Sequence, residues 1–261
     1  MDIKEMSSAQ KYRHPWELSR AACLLRELRP FLQSAEAPRT AVDFGAGDLF
    51  FCDAFLRQTP GVTVDAIDKL YTPALVEQLR SRVENADRIR TAVSLEERGD
   101  EPTDLVLMLD SLEFLEDEAQ MLQALSARLA EGRYFIMCMP AFPFLYSRHD
   151  EVAKSLRRYD KKYVRRLLAQ VPALKPVREH YFYTSLFLVR LMQKLTRASF
   201  DEEHRAIVGW RYPETHVFTK LAVLALDLDY GVNALLGRAG LDLPGLSLVV
   251  ICKKTEAGSN G

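Results

Sequence analysis

The residues best suited to ligand binding form a glycine-rich turn, followed at a fixed distance by a carboxylate. The segment Asp43-Phe44-Gly45-Ala46-Gly47 closes one short apolar run, and Asp68 closes the next. Glycines at a strand-to-helix turn let the backbone approach a ligand closely, because they carry no Cβ atom. A carboxylate about 20 residues later can accept hydrogen bonds from both hydroxyls of a ribose. The pattern therefore predicts a site for an adenosyl ligand.

The number of glycines narrows the choice of ligand. A dinucleotide-binding turn reads Gly-x-Gly-x-x-Gly, and its third glycine would fall at Phe50. A phenylalanine there fills the space in which helix and strand pack closely, which disfavours a dehydrogenase. No lysine follows at the Walker spacing, which disfavours a nucleoside triphosphate. A glycine turn in some other α/β protein remains the alternative.

A series of ordered motifs resembles class I S-adenosylmethionine-dependent methyltransferases, whose first motif, Asp-x-Gly-x-Gly, matches Asp43–Gly47. Asp110–Phe114 is similar to the Asp-Val-Leu-Glu-His that usually follows the fourth strand of that family. Met139–Phe142, Ser147–Asp150 and Arg157–Tyr159 resemble the Val-Pro-Ala, Ser-x-His-Asp and His-x-Arg-Arg-Tyr motifs of a bacterial subgroup. The resemblance covers about Trp16–Lys253.

Three positions depart from the motifs of the family. Leu49 stands where a third glycine is frequent, Phe114 replaces the usual histidine, and Ser155 replaces the second histidine of the subgroup. These departures support an alternative function, in which a catalytically degenerate methyltransferase fold binds an adenosyl ligand or a partner without turnover.

The resemblance implies a cofactor site. The glycine turn would hold the amino-acid part of S-adenosylmethionine, and Asp68 its ribose, with Asp65 as the fallback if the second strand ends earlier. The product would be S-adenosylhomocysteine. The expected cofactor-binding residues are Asp43, Gly45, Ala46, Gly47, Asp68, Lys69, Ser94, Leu95, Leu109 and Asp110.

The candidate catalytic residues are His149 and Asp150, just after the predicted fifth strand. A neutral imidazole can deprotonate a phenol or activate a hydroxyl, although a base is needed only if the acceptor must lose a proton. The alternative is a surface histidine beside a helix-capping aspartate. The basic run 157–166 would hold a carboxylate or phosphate, or else be a solvated helix face. The expected substrate-binding residues are Phe142, Tyr146, Arg158 and Tyr159, and no metal is expected.

Strands that alternate with helices must position these residues. Continuous apolar runs indicate strands buried on both faces, and their alternation with helices predicts parallel βαβ units. The predicted strands are Ala41–Phe44, Val62–Ile67, Arg88–Ala92, Asp104–Asp110, Tyr134–Met139, Val177–Phe182 and Leu246–Cys252. The fold class is therefore α/β, a doubly wound Rossmann-like sheet of seven mostly parallel strands. The family resemblance makes the last strand antiparallel. Ligands bind at the carboxyl ends of such strands.

The rest of the chain reads as a helical addition to this core. Residues 1–183 and 244–254 form the predicted core, 184–243 a helical insert or lid, and 255–261 a disordered tail. The predicted helices of the insert are Leu186–Leu195 and Val217–Leu236, and they form a lid, a dimer face or extra core. The aromatic run Tyr181-Phe182-Tyr183 favours an aromatic or lipid-like acceptor.

The composition excludes several classes of partner. The 261 residues carry a formal net charge of −1, so no global field recruits nucleic acid. Four isolated cysteines and a polar N-terminus without a signal-peptide pattern predict a cytoplasmic protein with reduced thiols. The most apolar segments are interrupted by Arg190, Lys220, Asp227 and Asp229, so no transmembrane segment is expected, while peripheral membrane contact and oligomeric state stay open. The predicted activity is methyl transfer to oxygen of a small molecule.

Overall fold

A seven-stranded sheet forms the centre of the computed structural model, which describes residues 12–32, 37–196 and 210–255. The strands are β1 (Thr40–Phe44), β2 (Thr63–Ile67), β3 (Ile89–Ala92), β4 (Thr103–Leu109), β5 (Leu129–Pro140), β6 (Leu174–Phe182) and β7 (Ser247–Lys254). Their order is β3-β2-β1-β4-β5-β7-β6. β7 is antiparallel to both neighbours, β5 and β6, and the remaining pairs are parallel. The predicted fold class is confirmed.

Most of the helices begin where the sequence supplies a proline or a capping side chain. They are α1 (Pro15–Leu32), α2 (Phe50–Gln58), α3 (Pro73–Arg80), α4 (Leu95–Arg98), α5 (Glu118–Arg128), α6 (Arg148–Ala153), α7 (Lys161–Leu168), α8 (Thr184–Thr196) and α9 (Val217–Arg238). Thr72, Asp117 and Asp160 each accept a hydrogen bond from a backbone N–H of the first turn. Such caps satisfy donors that the helix itself leaves unpaired.

The core consists of two apolar layers, one on each face of the sheet. In β4, Leu105 and Leu107 face the layer that contains α1 and α2, whereas Val106 and Met108 face the layer that contains α5 and α7. All four side chains are almost completely buried. This burial on both faces explains why the sequence of β4 is a continuous apolar run.

Several predicted boundaries differ from the observed ones. β6 begins at Leu174 instead of Val177, because an edge strand tolerates the exposed Lys175 and Pro176, and the pairing register shifts after Pro176. β5 begins at Leu129 instead of Tyr134. Helix α3 ends at Arg80, whose guanidinium donates to the backbone carbonyls of Ala86 and Ile89.

Two predicted features lie outside the described residues. They are most of the segment between α8 and α9 and the tail after Thr255. The division into core and insert remains a prediction. In the three described ranges, every helix is too short or too polar to cross a bilayer.

Candidate active site

Hydrogen bonds hold the glycine turn against the end of β2. The backbone N–H groups of Gly45 and Ala46 donate to the carbonyl of Ile67, at 2.8 and 3.1 Å. Gly47 N donates to Asp68 Oδ2 at 3.1 Å. Asp68 therefore lies at the turn, directly after β2, as the prediction requires. The fallback, Asp65, lies within β2, where Arg90 and Arg98 bind its carboxylate.

Gly45 is required by its conformation and by its surroundings. Its φ is +78°, and a Cβ atom built on it would lie 2.3 Å from Cβ of Ser111. Ser111 Oγ in turn donates to the carbonyl of Phe44 at 2.7 Å. The absence of a side chain thus lets the ends of β1 and β4 approach each other, at the point where the strand order reverses.

Leu49, which stands where the family often has glycine, adopts a glycine-like backbone conformation. Its φ is +64°, and its side chain is completely buried in the apolar layer that contains Cys52 and Phe55. A left-handed conformation costs a non-glycine residue on the order of 1 kcal/mol. Burial in the core offsets this cost. The departure at Leu49 therefore adds a side chain to the hydrophobic core.

Asp43 is a buried carboxylate with one unused oxygen. Oδ2 accepts a hydrogen bond from Cys52 Sγ at 3.2 Å, and Oδ1 has no hydrogen-bond partner among the described residues. Burial, with a smaller contribution from the negative charge of Asp68, raises the pKa of Asp43 to about 6. Asp43 is therefore mostly ionised at neutral pH, at an energetic cost to the folded state.

The raised pKa of Asp43 predicts a pH-dependent stability effect. An acid whose pKa is higher in the folded state stabilises the fold below its ordinary pKa, and this stabilisation is lost as the pH rises through 6. We expect Asp43→Asn to raise the free energy of unfolding at pH 7.5 by up to about 3 kcal/mol, and to change it little at pH 4. Urea unfolding of the cofactor-free protein at both pH values measures this difference. An equal effect at both would contradict the assignment.

Two arginines near the start of the chain reach the site. Arg13, just before α1, pairs with Asp48 at 2.8 Å and lies 3.8 Å above the ring of Phe50. Arg20 pairs with Asp110 at 2.5 Å and donates to Cys138 Sγ. The Nε atom of Arg20 is buried and has no hydrogen-bond partner among the described residues. The sequence analysis did not assign these arginines to the site, because their carboxylate partners are distant in sequence.

Glu113 is a second buried carboxylate at the site, in addition to Asp43. The sequence analysis did not assign a role to Glu113. It is 4% exposed, and its Oε2 atom has no hydrogen-bond partner in the described part of the chain. Burial, followed by the nearby charge of Asp110, raises its pKa well above the ordinary value. Its position just after β4 places it beside the Arg20–Asp110 ion pair.

Two of the expected cofactor-binding residues, Ser94 and Leu95, follow the end of β3. Asp68 N donates to the carbonyl of Ala92, which joins the ends of β2 and β3. Ser94 caps α4 by accepting a hydrogen bond from Glu97 N, and Leu95 is buried. Lys69 is exposed and Leu109 is half-buried at the end of β4. Their contacts with the cofactor remain predictions.

Asp150 is engaged in a buried network. Oδ1 accepts from Arg158 Nε at 2.8 Å, and Oδ2 accepts from the backbone N–H and the hydroxyl of Ser147 at 2.9 and 3.2 Å. Asp150 and Arg158 are both less than one tenth exposed. His149 is half-buried in the first turn of α6. The structure thus pairs Asp150 with Arg158, and the roles of these residues in catalysis remain predictions.

The two predicted substrate-binding tyrosines make internal hydrogen bonds. Tyr159 is completely buried, and its hydroxyl donates to Glu118 at 2.6 Å. The hydroxyl of the half-buried Tyr146 donates to the carbonyl of Ser155 at 2.8 Å. A buried side chain cannot touch a substrate without a rearrangement. Tyr146 is therefore the better placed of the two for substrate contact.

Phe142, the remaining predicted substrate residue, is at the centre of an aromatic cluster. Its ring stacks on Tyr181 with 4.6 Å between centroids and contacts Phe187 and Phe144 at 5.2 and 5.5 Å. Phe142 has a φ of +62°, and its N–H donates to the carbonyl of Tyr159. Phe144 is half-exposed. The cluster follows β5 directly and presents an apolar surface at the same edge of the sheet.

Comparison with known proteins identifies the family. The family model described as "Methyltransferase domain" matches residues 16–195, which is more than half of the chain. The chain therefore belongs to this methyltransferase family, and the predicted class I, S-adenosylmethionine-dependent fold is confirmed. A search of curated proteins found no match.

Solved structures with the same fold include enzymes with different acceptors. The N-methyltransferase NodS from Bradyrhizobium japonicum, in complex with S-adenosylhomocysteine, matches over 97% of this chain and 96% of its own, with a TM-score of 0.56 and 15% identity. Geranyl diphosphate methyltransferase, in complex with S-adenosylmethionine, matches over 91% and 85%, with a TM-score of 0.57 and 15% identity. A protein from Nostoc punctiforme, described provisionally as an O-methyltransferase, matches over 62% of this chain, with a TM-score of 0.50 and 15% identity. The match spans only about half (51%) of the Nostoc protein's own length.

The polar groups at the site suit the amino-acid end of S-adenosylmethionine, the predicted cofactor. Among the described residues, the site offers a buried donor without a hydrogen-bond partner, Arg20 Nε, and two buried acceptors without partners, Asp43 Oδ1 and Glu113 Oε2. A zwitterion carries the complementary groups, a carboxylate and an ammonium. Because unpaired buried polar atoms are costly, a ligand that pairs with them gains affinity.

Proposed function

We propose that the chain transfers a methyl group from S-adenosylmethionine to an oxygen of a small aromatic or lipid-like acceptor. The observation that supports this acceptor class is the aromatic cluster of Phe142, Phe144, Tyr181 and Phe187 after β5. Aromatic side chains bind apolar and aromatic groups through large, rigid contact surfaces. The cluster therefore favours an acceptor with substantial apolar area.

The chemistry places modest demands on the protein. Bound S-adenosylmethionine supplies a methyl group on an already activated sulfonium. The chain must then align the acceptor with this methyl group and exclude water, and such positioning can supply several kcal/mol of the barrier. The glycine turn and Asp68 would fix the donor, and the aromatic cluster would fix the acceptor.

Transfer to a phenol or hydroxyl also needs a proton acceptor, and we assign this role to His149. We expect His149→Ala to lower kcat by about 100-fold or more and to abolish a rise of activity through neutral pH. His180→Ala, which removes a histidine on β6 that faces Glu27, is the matched control and should leave the pH profile unchanged. Unchanged turnover of His149→Ala between pH 6 and pH 8 would contradict the assignment.

Titration followed by an acceptor screen tests the proposal. Calorimetry should show one-to-one binding of both S-adenosylmethionine and S-adenosylhomocysteine. A panel of phenols, fatty acyl derivatives, sugars and amines, assayed for S-adenosylhomocysteine release, should show turnover on apolar oxygen acceptors. Turnover on amines alone would show that the acceptor atom is nitrogen and not oxygen. Binding without turnover on any acceptor would support the catalytically degenerate alternative.

A further inference from the structure

Helix α9 has two apolar faces, and the described part of the chain covers only one of them. Its inner face packs on α1, where Tyr230 and Asn233 are buried. The two acidic residues of α9 also make their hydrogen bonds on this inner side of the helix. Asp227 accepts hydrogen bonds from Ser19 and Arg26, and Asp229 accepts from Ser185. A helix that is apolar on both sides needs a partner on each.

The outer face of α9 carries seven large apolar side chains in a row that follows the helix. Each is between 52% and 65% exposed. They are Val217, Phe218, Leu221, Leu224, Leu228, Val232 and Leu235. Since a large side chain has roughly 150–250 Å² of surface, the row presents on the order of 700 Å². A stable protein–protein interface buries about 800 Å² on each partner.

Five of the seven side chains are placed symmetrically about Leu228. Leu224 and Val232 lie four residues on either side of Leu228, and Leu221 and Leu235 lie seven on either side. Spacings of three and four residues keep these side chains in one line along the helix. A two-fold axis through Leu228 would therefore place Leu221 against the partner's Leu235 and Leu224 against the partner's Val232.

We propose that this row is the interface of a homodimer, in which α9 packs antiparallel against α9 of a second copy. An interface with two-fold symmetry must be complementary to itself, and the row meets this condition. Helix pairs of this kind pack through side chains three and four residues apart. The area per protomer approaches that of a stable interface.

The charges of α9 favour a second copy over a membrane surface. Helices that lie on anionic membranes carry several lysines or arginines beside their apolar face. Among the side chains described on α9, Lys220 alone is basic, and the acids Asp227 and Asp229 are bound on the inner side. The described residues of α9 therefore provide little electrostatic attraction to anionic lipid beside the apolar row.

Light scattering after gel filtration tests the proposal directly. We expect a mass about twice the 29.8 kDa of the chain at micromolar concentration. Leu224→Glu combined with Leu228→Glu should give a folded monomer, with unchanged circular dichroism. Val177→Glu adds a charge at an equally exposed site on β6 and should stay dimeric. A monomeric wild-type protein would overturn the proposal, and its co-sedimentation with phosphatidylglycerol vesicles would assign the row to a membrane instead.

Cysteine cross-linking tests the symmetry. The four native cysteines are buried, so mild oxidation should report only introduced thiols. Leu228→Cys should form an intermolecular disulfide, because the two copies meet at the axis. Leu221→Cys should not, since its two copies would lie fourteen residues apart along the helix, or about 21 Å. A mixture of Leu221→Cys and Leu235→Cys chains should cross-link. Equal cross-linking of Leu221→Cys and Leu228→Cys alone would overturn the antiparallel arrangement.

Discussion

Replacing Asp68 by alanine is expected to raise the dissociation constants of S-adenosylmethionine and S-adenosylhomocysteine by at least about 100-fold. Hydrogen bonds to a charged group contribute about 1.5–3 kcal/mol each, and a carboxylate at this position can accept from both ribose hydroxyls. Asp68 also accepts from the N–H groups of Gly47 and Leu70, at 3.1 and 2.9 Å. Its removal therefore loosens the glycine turn as well. Calorimetric titration of both ligands measures the effect.

The matched control for Asp68 is Asp65, three residues earlier. Asp65 binds Arg90 and Arg98 at 2.7 and 2.9 Å within the fold. Asp65→Asn should lower the unfolding temperature and leave both dissociation constants within about twofold, because breaking ion pairs at a buried carboxylate costs stability. Unchanged affinity of Asp68→Ala would place the ribose contact elsewhere. Loss of affinity in Asp65→Asn alone would assign the ribose contact to Asp65.

The second large effect is expected at Arg158. Its ion pair with Asp150 is buried on both sides, at 2.8 Å, and Arg190 approaches the same carboxylate at 3.9 Å. Arg158→Met removes one partner and leaves a buried carboxylate with less compensation, which typically costs about 3–5 kcal/mol. We expect this loss in the free energy of unfolding measured with urea.

A double substitution separates a structural role of Arg158 from substrate binding. Arg158→Met combined with Asp150→Asn should recover most of the loss, since asparagine keeps the cap on Ser147 N and removes the buried charge. Arg148→Met removes an exposed arginine paired with Glu151 and should change stability by less than about 1 kcal/mol. If Arg158→Met instead unfolds like the wild type and raises KM for the acceptor, Arg158 binds substrate.

Much of the sheet could be predicted because its signals are local. The run Leu105–Leu109 is apolar at every position, and such a run indicates a strand buried on both faces. The direction of β7 has no such local signal. The sequence Leu248–Cys252 is apolar in either direction, so its antiparallel pairing followed only from the family resemblance. At the start of β6, the buried Leu174 is followed by the exposed Lys175 and Pro176, so there is no continuous apolar signal and this start is not predicted.

The site was predicted in part for the same reason. The glycine turn and Asp68 have a characteristic spacing, and they lie together at the end of β1 and β2. Arg20 was missed because helical periodicity shows which face of α1 is apolar, but not what the opposite face contacts. Asp150 and Arg158 are charged residues, which are seldom fully buried. Their burial depends on packing between distant segments, which the local sequence does not encode.

The position of β7 determines when the sheet can be completed during synthesis. β7 pairs with both β5 and β6, yet β5 ends at Pro140 and β7 begins only at Ser247. β5 therefore emerges from the ribosome long before β7. In the described sheet, β6 pairs with no strand except β7, so it must also wait for β7. Pairing over such sequence distances is slow, because the entropy of loop closure must be overcome first. Nascent chains of this protein should expose the apolar edge of β5 to chaperones until β7 inserts.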